Sequence, residues 1–581
     1  MLKTLARQLK GFELVSVLTP LCMILEVVAD VLIPYLMASI IDDGIDAHNM
    51  GHIYAVGGLM ILTAVFGLLT GLGGAVFGSR ASTGFARNLR KAMFDKIQEF
   101  SFANIDRFST AGLITRLTTD VTNIQNAYMM LLRMAFRAPV SIAAALIMSF
   151  IKSPKLASIY LVAVVILAIF IAFIMSITHK YFTKMFDQYD KLNESTQENI
   201  TGIRVVKAFV REKFQTERFK AASDKIYELS LKAEKRISYI SPMMQFTVYT
   251  CILLISWAGA RLIVQNELST GDLMSLLQYC MNILMNLMML SMIFMMIIMS
   301  SASAKRIAEV LDEEPTIKEP ANPVMEVRDG SVVFKDVDFA YAADSADMVL
   351  KDIDLVIKSG ETIGVIGATG SAKSSLVNLI SRLYDVTAGS VTVGGVDVRN
   401  YDIKTLRDKV AVVLQKNVLF SGTIYENLRW GKEDATEEEC RRVCELACAD
   451  EFIKGFPDGY ETYIEQGGSN VSGGQKQRLC IARALLKDPK VLILDDSTSA
   501  VDTATDARIR HAFAEHIPGV TKIIIAQRIS SIENCDRVIV MENGRVDAFD
   551  TPGRLLQNNE IYRDVYESQT SGNGDFDEGG D

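Results

Sequence analysis

The first half of the chain alternates long apolar runs with polar stretches. A helix that crosses a bilayer needs about 20 consecutive, mostly apolar residues, and each of these runs reaches that length. The first run is too long for a cleaved signal peptide and lacks a small-residue cleavage site at its end. The pattern therefore predicts six membrane-spanning helices, over residues 12–41, 53–76, 128–151, 156–177, 243–264 and 273–300.

Lysine and arginine residues are distributed unevenly around these runs. A basic cluster at 80–96 follows the second run, whereas residues 42–52, between the first two runs, contain neither lysine nor arginine. Because lysine and arginine accumulate on the cytoplasmic side of a membrane, we expect a multi-pass protein of the cell membrane with both termini in the cytoplasm. On the same rule Arg133 and Arg137 are expected at the cytoplasmic end of the third span.

Two of the polar connections, at 79–127 and 178–242, are long and have helical polar patterns. They are the connections that the charge distribution places in the cytoplasm. We expect the spans to continue there as helices, and an extension of 20 residues would add about 30 Å.

The pattern changes after residue 300, where a proline-containing stretch leads to short β-rich runs separated by glycine turns. Such runs, mixed with helical patterns, are typical of an α/β domain. We predict a transmembrane domain with two long cytoplasmic loops at 1–315, a linker at 316–330, an α/β domain at 331–568 and a disordered acidic tail at 569–581.

Composition narrows the class of protein. The 581 residues have a mean hydropathy of +0.22 and a net charge of −9. A positive mean hydropathy over this length excludes a disordered or purely soluble protein, and the acidic balance argues against a nucleic-acid partner. The eight cysteines lack paired CxxC spacing, which favours packing roles over a zinc site or disulfide framework.

A phosphate-binding loop follows the apolar run 361–366, in the sequence GATGSAKS. A strand, this loop and then a helix form the context in which backbone N–H groups and a helix N-terminus face phosphates. Lys373 adds positive charge and the Ser374 hydroxyl can bind Mg²⁺. Ala372 stands where glycine is expected, so its methyl group is expected to crowd the phosphates or strain the loop. The candidate nucleotide-binding residues here are Gly367, Ala368, Thr369, Gly370, Ser371, Ala372, Lys373, Ser374 and Ser375.

A second element of phosphate chemistry lies downstream, where the apolar run 491–494 ends in two carboxylates, Asp495 and Asp496. The first suits Mg²⁺, and the second stands where a general base or a water-orienting carboxylate would stand. The two elements in this order predict nucleotide binding, so we interpret 331–568 as a nucleotide-binding domain.

Between these elements lies the sequence VSGGQKQR, at 471–478. With it, the chain resembles an ATP-binding-cassette exporter half-transporter over its whole length except the acidic tail. The resemblance implies a six-helix α-helical transmembrane domain fused to a cytoplasmic α/β P-loop ATPase domain. It also implies ATP hydrolysis coupled to transport, with ATP and Mg²⁺ as cofactors.

The resemblance assigns roles to further residues. Tyr341 is implied to stack on adenine, Gln415 to lie near Mg²⁺ as the Q-loop residue, and Gln527 to occupy the position of the switch histidine. The candidate catalytic residues are Asp496, Gln527 and Gln415; the candidate Mg²⁺ ligands are Ser374, Gln415 and Asp495; the signature is Ser472, Gly473, Gly474 and Gln475; and the D-loop is Ser499, Ala500, Val501 and Asp502. Blocks 109–120 and 198–209 resemble the loops that carry coupling helices.

Members of this family work as dimers in which each ATP lies between the P-loop of one subunit and the signature of the other. Here Ala372, Asp496 and Gln527 replace glycine, glutamate and histidine, all on the P-loop side, while the signature is intact. We therefore expect a slow site on this chain's P-loop and a heterodimer with a second half-transporter. A homodimer with two slow sites is the alternative.

The transported molecule is expected to be a small amphiphilic or hydrophobic compound, as in multidrug-type members. The alternatives are a lipid, peptide or thiol compound, or a regulatory ATP-binding membrane subunit that does not transport. Intramembrane carboxylates and a methionine-rich last span mark the candidate cavity, since methionine adapts to varied ligands. Its candidate residues are Glu26, Asp30, Asn282, Met285 and Met292, although helix packing explains the same residues.

Overall fold

A computed structural model describes residues 1–341, 347–496 and 501–570. Contacts divide the chain into two compact units. The first comprises Met1–Gln98 and Thr110–Glu313, and the second comprises Glu99–Ser109 and the chain from Glu314 onward.

The division between units differs from the sequence-based boundary in one segment. Glu99–Ser109 belongs to the second unit by its contacts, whereas the sequence pattern placed it with the rest of 1–315. The segment is only 11 residues long and mixes apolar with polar residues, so no change in the hydrophobic pattern separated it from the helices on either side.

The first unit is built from long helices, and within its described residues six helical segments are long and apolar enough to cross a membrane. This agrees with the predicted number. The helices up to Asp312 are α1 (Leu2–Ala6), α2 (Glu13–Ser39), α3 (Met50–Gln98), α4 (Phe102–Arg107, in the second unit), α5 (Thr110–Thr115), α6 (Val121–Met130), α7 (Phe136–Lys152), α8 (Pro154–Thr201), α9 (Ile203–Ala208), α10 (Glu212–Ile237), α11 (Ile240–Val264) and α12 (Thr270–Asp312).

Three of these helices extend far beyond the apolar runs. α3, α8 and α12 contain 49, 48 and 43 residues. At 1.5 Å per residue α3 is about 74 Å long, more than twice the thickness of the hydrocarbon core of a bilayer. The long helical extensions expected from the polar connections are therefore present.

The second unit contains a mixed β-structure in its described residues: a six-stranded sheet, a four-stranded antiparallel sheet and a two-stranded ribbon. The strands are β1 (Val332–Phe339), β2 (Leu350–Ile357), β3 (Thr362–Gly367), β4 (Ala388–Val393), β5 (Val396–Asp397), β6 (Val410–Val413), β7 (Gly422–Thr423), β8 (Tyr463–Ile464), β9 (Val491–Asp495), β10 (Thr521–Ile525), β11 (Arg537–Glu542) and β12 (Arg545–Asp550).

The larger sheet has the order β12-β11-β3-β10-β9-β6 and is parallel except for the β11–β12 pair. The residues of β9 and β10 are all buried. Continuous apolar runs suit strands covered on both faces, which explains why β9 and β10 do not alternate apolar and polar residues. The carboxyl ends of β3, β9 and β10 meet at one edge of the sheet, where ligands bind in such folds.

Helices cover this sheet and close the second unit. They are α13 (Lys373–Ile380), α14 (Ile403–Lys409), α15 (Ile424–Arg429), α16 (Glu437–Leu446), α17 (Asp450–Ile453), α18 (Gly473–Leu485), α19 (Thr503–His516), α20 (Pro552–Asn558) and α21 (Glu560–Thr570). The combination of six apolar helices and an α/β domain confirms the predicted fold class.

The last helix, α21, runs two residues past the predicted domain end at 568, because its final turn contacts the rest of the unit through Gln569. The rest of the predicted acidic tail, 571–581, lies outside the described residues.

Candidate nucleotide-binding site

The phosphate-binding loop joins β3 to α13, as the sequence pattern predicted. Gly370 has φ 87° and Ala372 has φ 71° and ψ 26°, directly before α13 begins at Lys373. A residue with a Cβ atom is disfavoured in this left-handed region by about 1–2 kcal/mol. The alanine is therefore strained where glycine would not be.

Lys373 folds back over the loop. Its ammonium group donates hydrogen bonds to the carbonyl oxygens of Gly367 and Ala368, at 2.8 and 2.9 Å. Burial lowers the pKa of Lys373, and the charges of Asp496 and Asp495 act in the opposite direction. The cation lies among acceptors that it can exchange for phosphate oxygens.

Two of the three candidate Mg²⁺ ligands, Ser374 and Asp495, are in direct contact, whereas Gln415 contacts Asp496. The Ser374 hydroxyl donates to a carboxylate oxygen of Asp495 at 3.0 Å, and Asp495 is 5% exposed. Burial raises the pKa of Asp495, the Ser374 hydrogen bond lowers it, and the charge of Asp496 raises it further. A hydroxyl and one carboxylate are the hard oxygen ligands that Mg²⁺ accepts beside phosphate, so these residues fit the ion.

The three candidate catalytic residues meet at one carboxylate oxygen. Asp496 Oδ2 accepts a hydrogen bond from Gln527 Nε2 at 2.8 Å and one from Gln415 Nε2 at 3.4 Å. Asp496 has φ 47°, and its backbone N–H donates to the Ile525 carbonyl. Because β9 and β10 are adjacent parallel strands, the residues after both strands lie side by side.

Tyr341 lies at the edge of an aromatic cluster. Its hydroxyl is 2.8 Å from Ser375 Oγ, and its ring makes edge contacts with Phe339 and Tyr384 at centroid distances of 4.9 and 5.0 Å. The Tyr384 hydroxyl donates to the Asp106 carboxylate at 2.6 Å. Tyr341 remains 47% exposed, so its ring offers a surface on which a base can stack.

The signature residues form a regular helix start. Ser472 is the N-cap of α18: its hydroxyl accepts from the Gln475 backbone N–H, and the Gln475 side chain accepts from the Ser472 backbone N–H. The capping box lies at the N-terminal end of a 13-residue helix, with Gly473 and Gly474 in the first turn. The partial positive charge at this end of the helix suits an anion.

The D-loop prediction is described only in part. Ser499 and Ala500 lie outside the described residues. Asp502 is the N-cap of α19, where it accepts from the Thr505 backbone N–H at 2.8 Å, and that hydrogen bond lowers the pKa of Asp502.

The candidate cavity residues lie in the first unit and are engaged with neighbouring helices. Arg137 of α7 pairs with Glu26 at 3.2 Å and with Asp30 at 2.9 Å, both on α2. Arg137 therefore lies beside the middle of α2. The distribution of lysine and arginine had predicted a position at the cytoplasmic end of the span, and that prediction is wrong for Arg137. Pairing with carboxylates explains why a guanidinium is tolerated there.

Asn282 accepts a hydrogen bond from the Ser141 hydroxyl at 2.7 Å, and Asn286 donates to both. These contacts join α7 to α12, as polar residues between membrane helices do. Met285 and Met292 are 63% and 59% exposed.

Sequence reasoning missed three residues that support these groups: Arg137, Tyr384 and Gln569. Two arginines and two carboxylates in separate apolar runs were a signal that charges pair within the membrane. Tyr384 and Gln569 contact residues distant in the sequence, and no local pattern marks them.

Comparisons with known families cover both units. The profile described as ABC transporter transmembrane region matches residues 17–288, and the profile described as ABC transporter matches residues 350–499.

Relatives from bacteria and from a vertebrate match most of this chain. The uncharacterized ABC transporter ATP-binding protein YfiB of Bacillus subtilis is 34% identical over 97% of both chains. The mitochondrial potassium channel ATP-binding subunit of Xenopus tropicalis is 33% identical over 88% of this chain and 74% of its own length.

Among solved structures, a bacterial Atm1-family ABC exporter with ATP bound superposes with a TM-score of 0.81 at 23% identity, covering 97% of this chain and 99% of that one. The two proteins share a fold. The chain belongs to the ABC transporter family, as a half-transporter in which six membrane helices and one ABC-type ATPase domain form a single polypeptide.

Proposed function

We propose that this chain is one half of an ATP-driven exporter that works as a heterodimer. Its P-loop side holds ATP and hydrolyses it slowly, while its signature completes the faster site of a second half-transporter. The observation that carries this proposal is the contact between Gln527 and Asp496 at 2.8 Å, which joins two departures from the family pattern at the same carboxylate.

This contact limits proton transfer from the attacking water. Asp496 is one methylene shorter than glutamate, and a displacement of about 1 Å can lower a rate about 10²-fold. Gln527 donates a hydrogen bond to the carboxylate oxygen that would otherwise accept from water, and a neutral amide cannot relay a proton as imidazole can. ATP therefore stays bound longer than it would beside glutamate and histidine.

Binding itself is retained. Lys373 supplies the charge for the phosphates, Ser374 and Asp495 supply Mg²⁺ ligands, and Tyr341 supplies the ring for adenine. When bound, Mg²⁺ neutralises phosphate charge and orients the terminal phosphoryl group. The site thus serves as a nucleotide-dependent clamp between two subunits.

The substrate is a small amphiphilic molecule that enters from the cytoplasm or the inner leaflet. The exposed methionines Met285 and Met292 offer adaptable apolar contact, and the Glu26–Asp30–Arg137 cluster offers charge within the same unit. The orientation follows the lysine and arginine distribution, with both termini and the ATPase domain in the cytoplasm of a cell-membrane protein.

The deciding experiment measures ATP hydrolysis in proteoliposomes containing this chain alone or with each half-transporter encoded beside it. Asp496→Asn in this chain is compared with the equivalent carboxylate-to-amide change in the partner. We expect the partner's change to abolish turnover and Asp496→Asn to leave most of it. Hydrolysis by this chain alone that Asp496→Asn silences would establish a homodimer instead.

A regulatory subunit that binds ATP without pumping is a second candidate. It is favoured by the similarity to the Xenopus protein described as a potassium channel ATP-binding subunit. Uptake of a fluorescent amphiphile into inside-out vesicles separates the two: ATP-dependent uptake supports export, and ion flux without uptake supports the regulatory role.

A further inference from the structure

The C-terminal helix reaches the loop that carries the switch residue. Gln569 of α21 uses both polar atoms of its side-chain amide on this loop. Its oxygen accepts a hydrogen bond from the Ile529 backbone N–H at 2.8 Å, and its nitrogen donates to the Gln527 carbonyl oxygen at 2.9 Å. One side chain therefore fixes two backbone groups that are two residues apart.

Gln569 is presented from a firmly held helix. Tyr562, seven residues earlier and hence on the same helical face, is 1% exposed, and Val565 and Tyr566 pack against the same core. Asn559 holds the start of the helix by accepting from the Tyr562 backbone N–H at 2.8 Å. The anchor of α21 thus sets where the Gln569 amide lies.

The opposite side of the loop is held by α19. Arg510 donates to the Ser530 carbonyl at 2.8 Å, and the Ser531 hydroxyl donates to Asp506 at 2.9 Å. The contacts of α19 hold the loop at Ser530 and Ser531, while Gln569 holds it at Gln527 and Ile529. The Gln527 side chain projects from the loop to Asp496.

We propose that Gln569 is a positioning residue for the switch position. It fixes the backbone at Gln527 and Ile529, so that only the Gln527 side chain has to move when a terminal phosphate arrives beside Asp496. The inference rests on the nucleotide-binding part of the proposed function and is independent of export and of the partner. Because the switch position lies beside the terminal phosphate, loss of this support weakens binding of ATP and not of ADP.

The test uses the full-length chain purified in detergent, with ATP and ADP in the presence of Mg²⁺ as probes in calorimetric titrations. Gln569→Ala removes both contacts, and Gln569→Glu keeps the acceptor for Ile529 but loses the donor to Gln527. Ser568→Ala, an exposed neighbour on the same turn, is the matched control. Hydrogen exchange at the Ile529 amide reports the contact directly.

We expect Gln569→Ala to lower ATP affinity about fivefold with ADP affinity unchanged, since both hydrogen bonds are lost. Gln569→Glu should give a loss at least as large, because it sets a carboxylate oxygen against the Gln527 carbonyl oxygen, and Ser568→Ala should give none. Exchange of the Ile529 amide should rise about tenfold in Gln569→Ala.

Three results would overturn the inference: equal losses for ATP and ADP, which indicate a general packing role; unchanged exchange at Ile529; or faster exchange with unchanged preference for ATP. If the unaltered chain binds neither nucleotide, the proposed function fails and takes this inference with it. A chain that binds both but lacks transport leaves the inference standing on its own result.

Discussion

The P-loop side and the signature side of the ATPase unit differ in backbone regularity. On the P-loop side, Ala372 and Asp496 have φ values of 71° and 47°, a region that residues with a Cβ atom rarely occupy. On the signature side, Ser472 and Gln475 form a complete capping box at the start of α18. The residues that depart from the family pattern therefore lie on the strained side.

This difference indicates what each side is built to do. A capped helix start presents its N–H groups to an anion without rearrangement, which suits a surface that completes a partner's site. Under the proposed function, the left-handed residues Ala372 and Asp496 store backbone strain where the phosphates bind. Substitutions on the two sides should therefore differ in their effects on chemistry and on stability.

The largest expected effect comes from restoring the family residues on the P-loop side. Ala372→Gly, Asp496→Glu and Gln527→His together should raise turnover at this site about 10²-fold, because they restore the reach of the base and the proton relay. The measurement is phosphate release from the dimer with the partner's carboxylate changed to its amide. The triple variant that also carries Lys373→Ala gives the background rate of phosphate release to be subtracted. An unchanged rate would mean that the P-loop side is not limited by these three residues.

Removing the P-loop cation should have the next largest effect. Lys373→Ala deletes a charged hydrogen-bond donor to the phosphates, worth about 1.5–3 kcal/mol, so the affinity for ATP should fall between about tenfold and a hundredfold. Equilibrium binding of ATP to the purified chain measures this, with the exposed Lys351→Ala on β2 as control. Similar losses in both variants would indicate a nonspecific charge effect.

On the signature side, Ser472→Ala should destabilise the ATPase unit. Loss of the N-cap costs about 1 kcal/mol, which corresponds to a fall of about 2–4 °C in the unfolding temperature of a unit of this size. Scanning calorimetry of the whole chain reports the transition. Ser469→Ala, at a nearby exposed serine that is not an N-cap and whose hydroxyl donates to Glu465, should change it less. An equal fall in the unfolding temperature of both variants would show that the capping box does not stabilise the unit more than an ordinary surface hydrogen bond does.

Local patterns predicted the P-loop because its strand, loop and helix are consecutive in the sequence. The contact between Asp496 and Gln527 could be predicted once β9 and β10 were taken as neighbours, because residues that follow neighbouring parallel strands lie at the same edge of the sheet. The contact of Tyr384 with Asp106 joins residues 278 positions apart. The periodicity of neither segment indicates that the two residues meet. The same is true of the contacts of Gln569 with Gln527 and Ile529.

In the first unit, the lengths of the apolar runs predicted the number of spans. They did not predict where along a span an individual charged side chain lies. Arg137 was expected at the cytoplasmic end of the third span because arginine accumulates on that side of a membrane, and an unpaired guanidinium deeper in a bilayer is costly. Its carboxylate partners on α2 remove that cost, and pairing between helices is a tertiary property that hydropathy does not report.

The smallest expected effect tests the strain itself. Ala372→Gly should raise the unfolding temperature of the ATPase unit by about 1–3 °C. Relief of the left-handed penalty, about 1–2 kcal/mol, exceeds the extra unfolded-state entropy of glycine, about 0.4–1 kcal/mol.

Ala368→Gly is the matched control for this change, because Ala368 lies in the same loop but outside the positive-φ residues of the described chain. There glycine brings only the entropic cost, so the unfolding temperature should fall. Opposite signs for the two alanine-to-glycine changes would assign strain to position 372 alone. If both variants lose stability, the left-handed alanine is accommodated without cost, and the contrast between the two sides lies in their chemistry and not in their backbone.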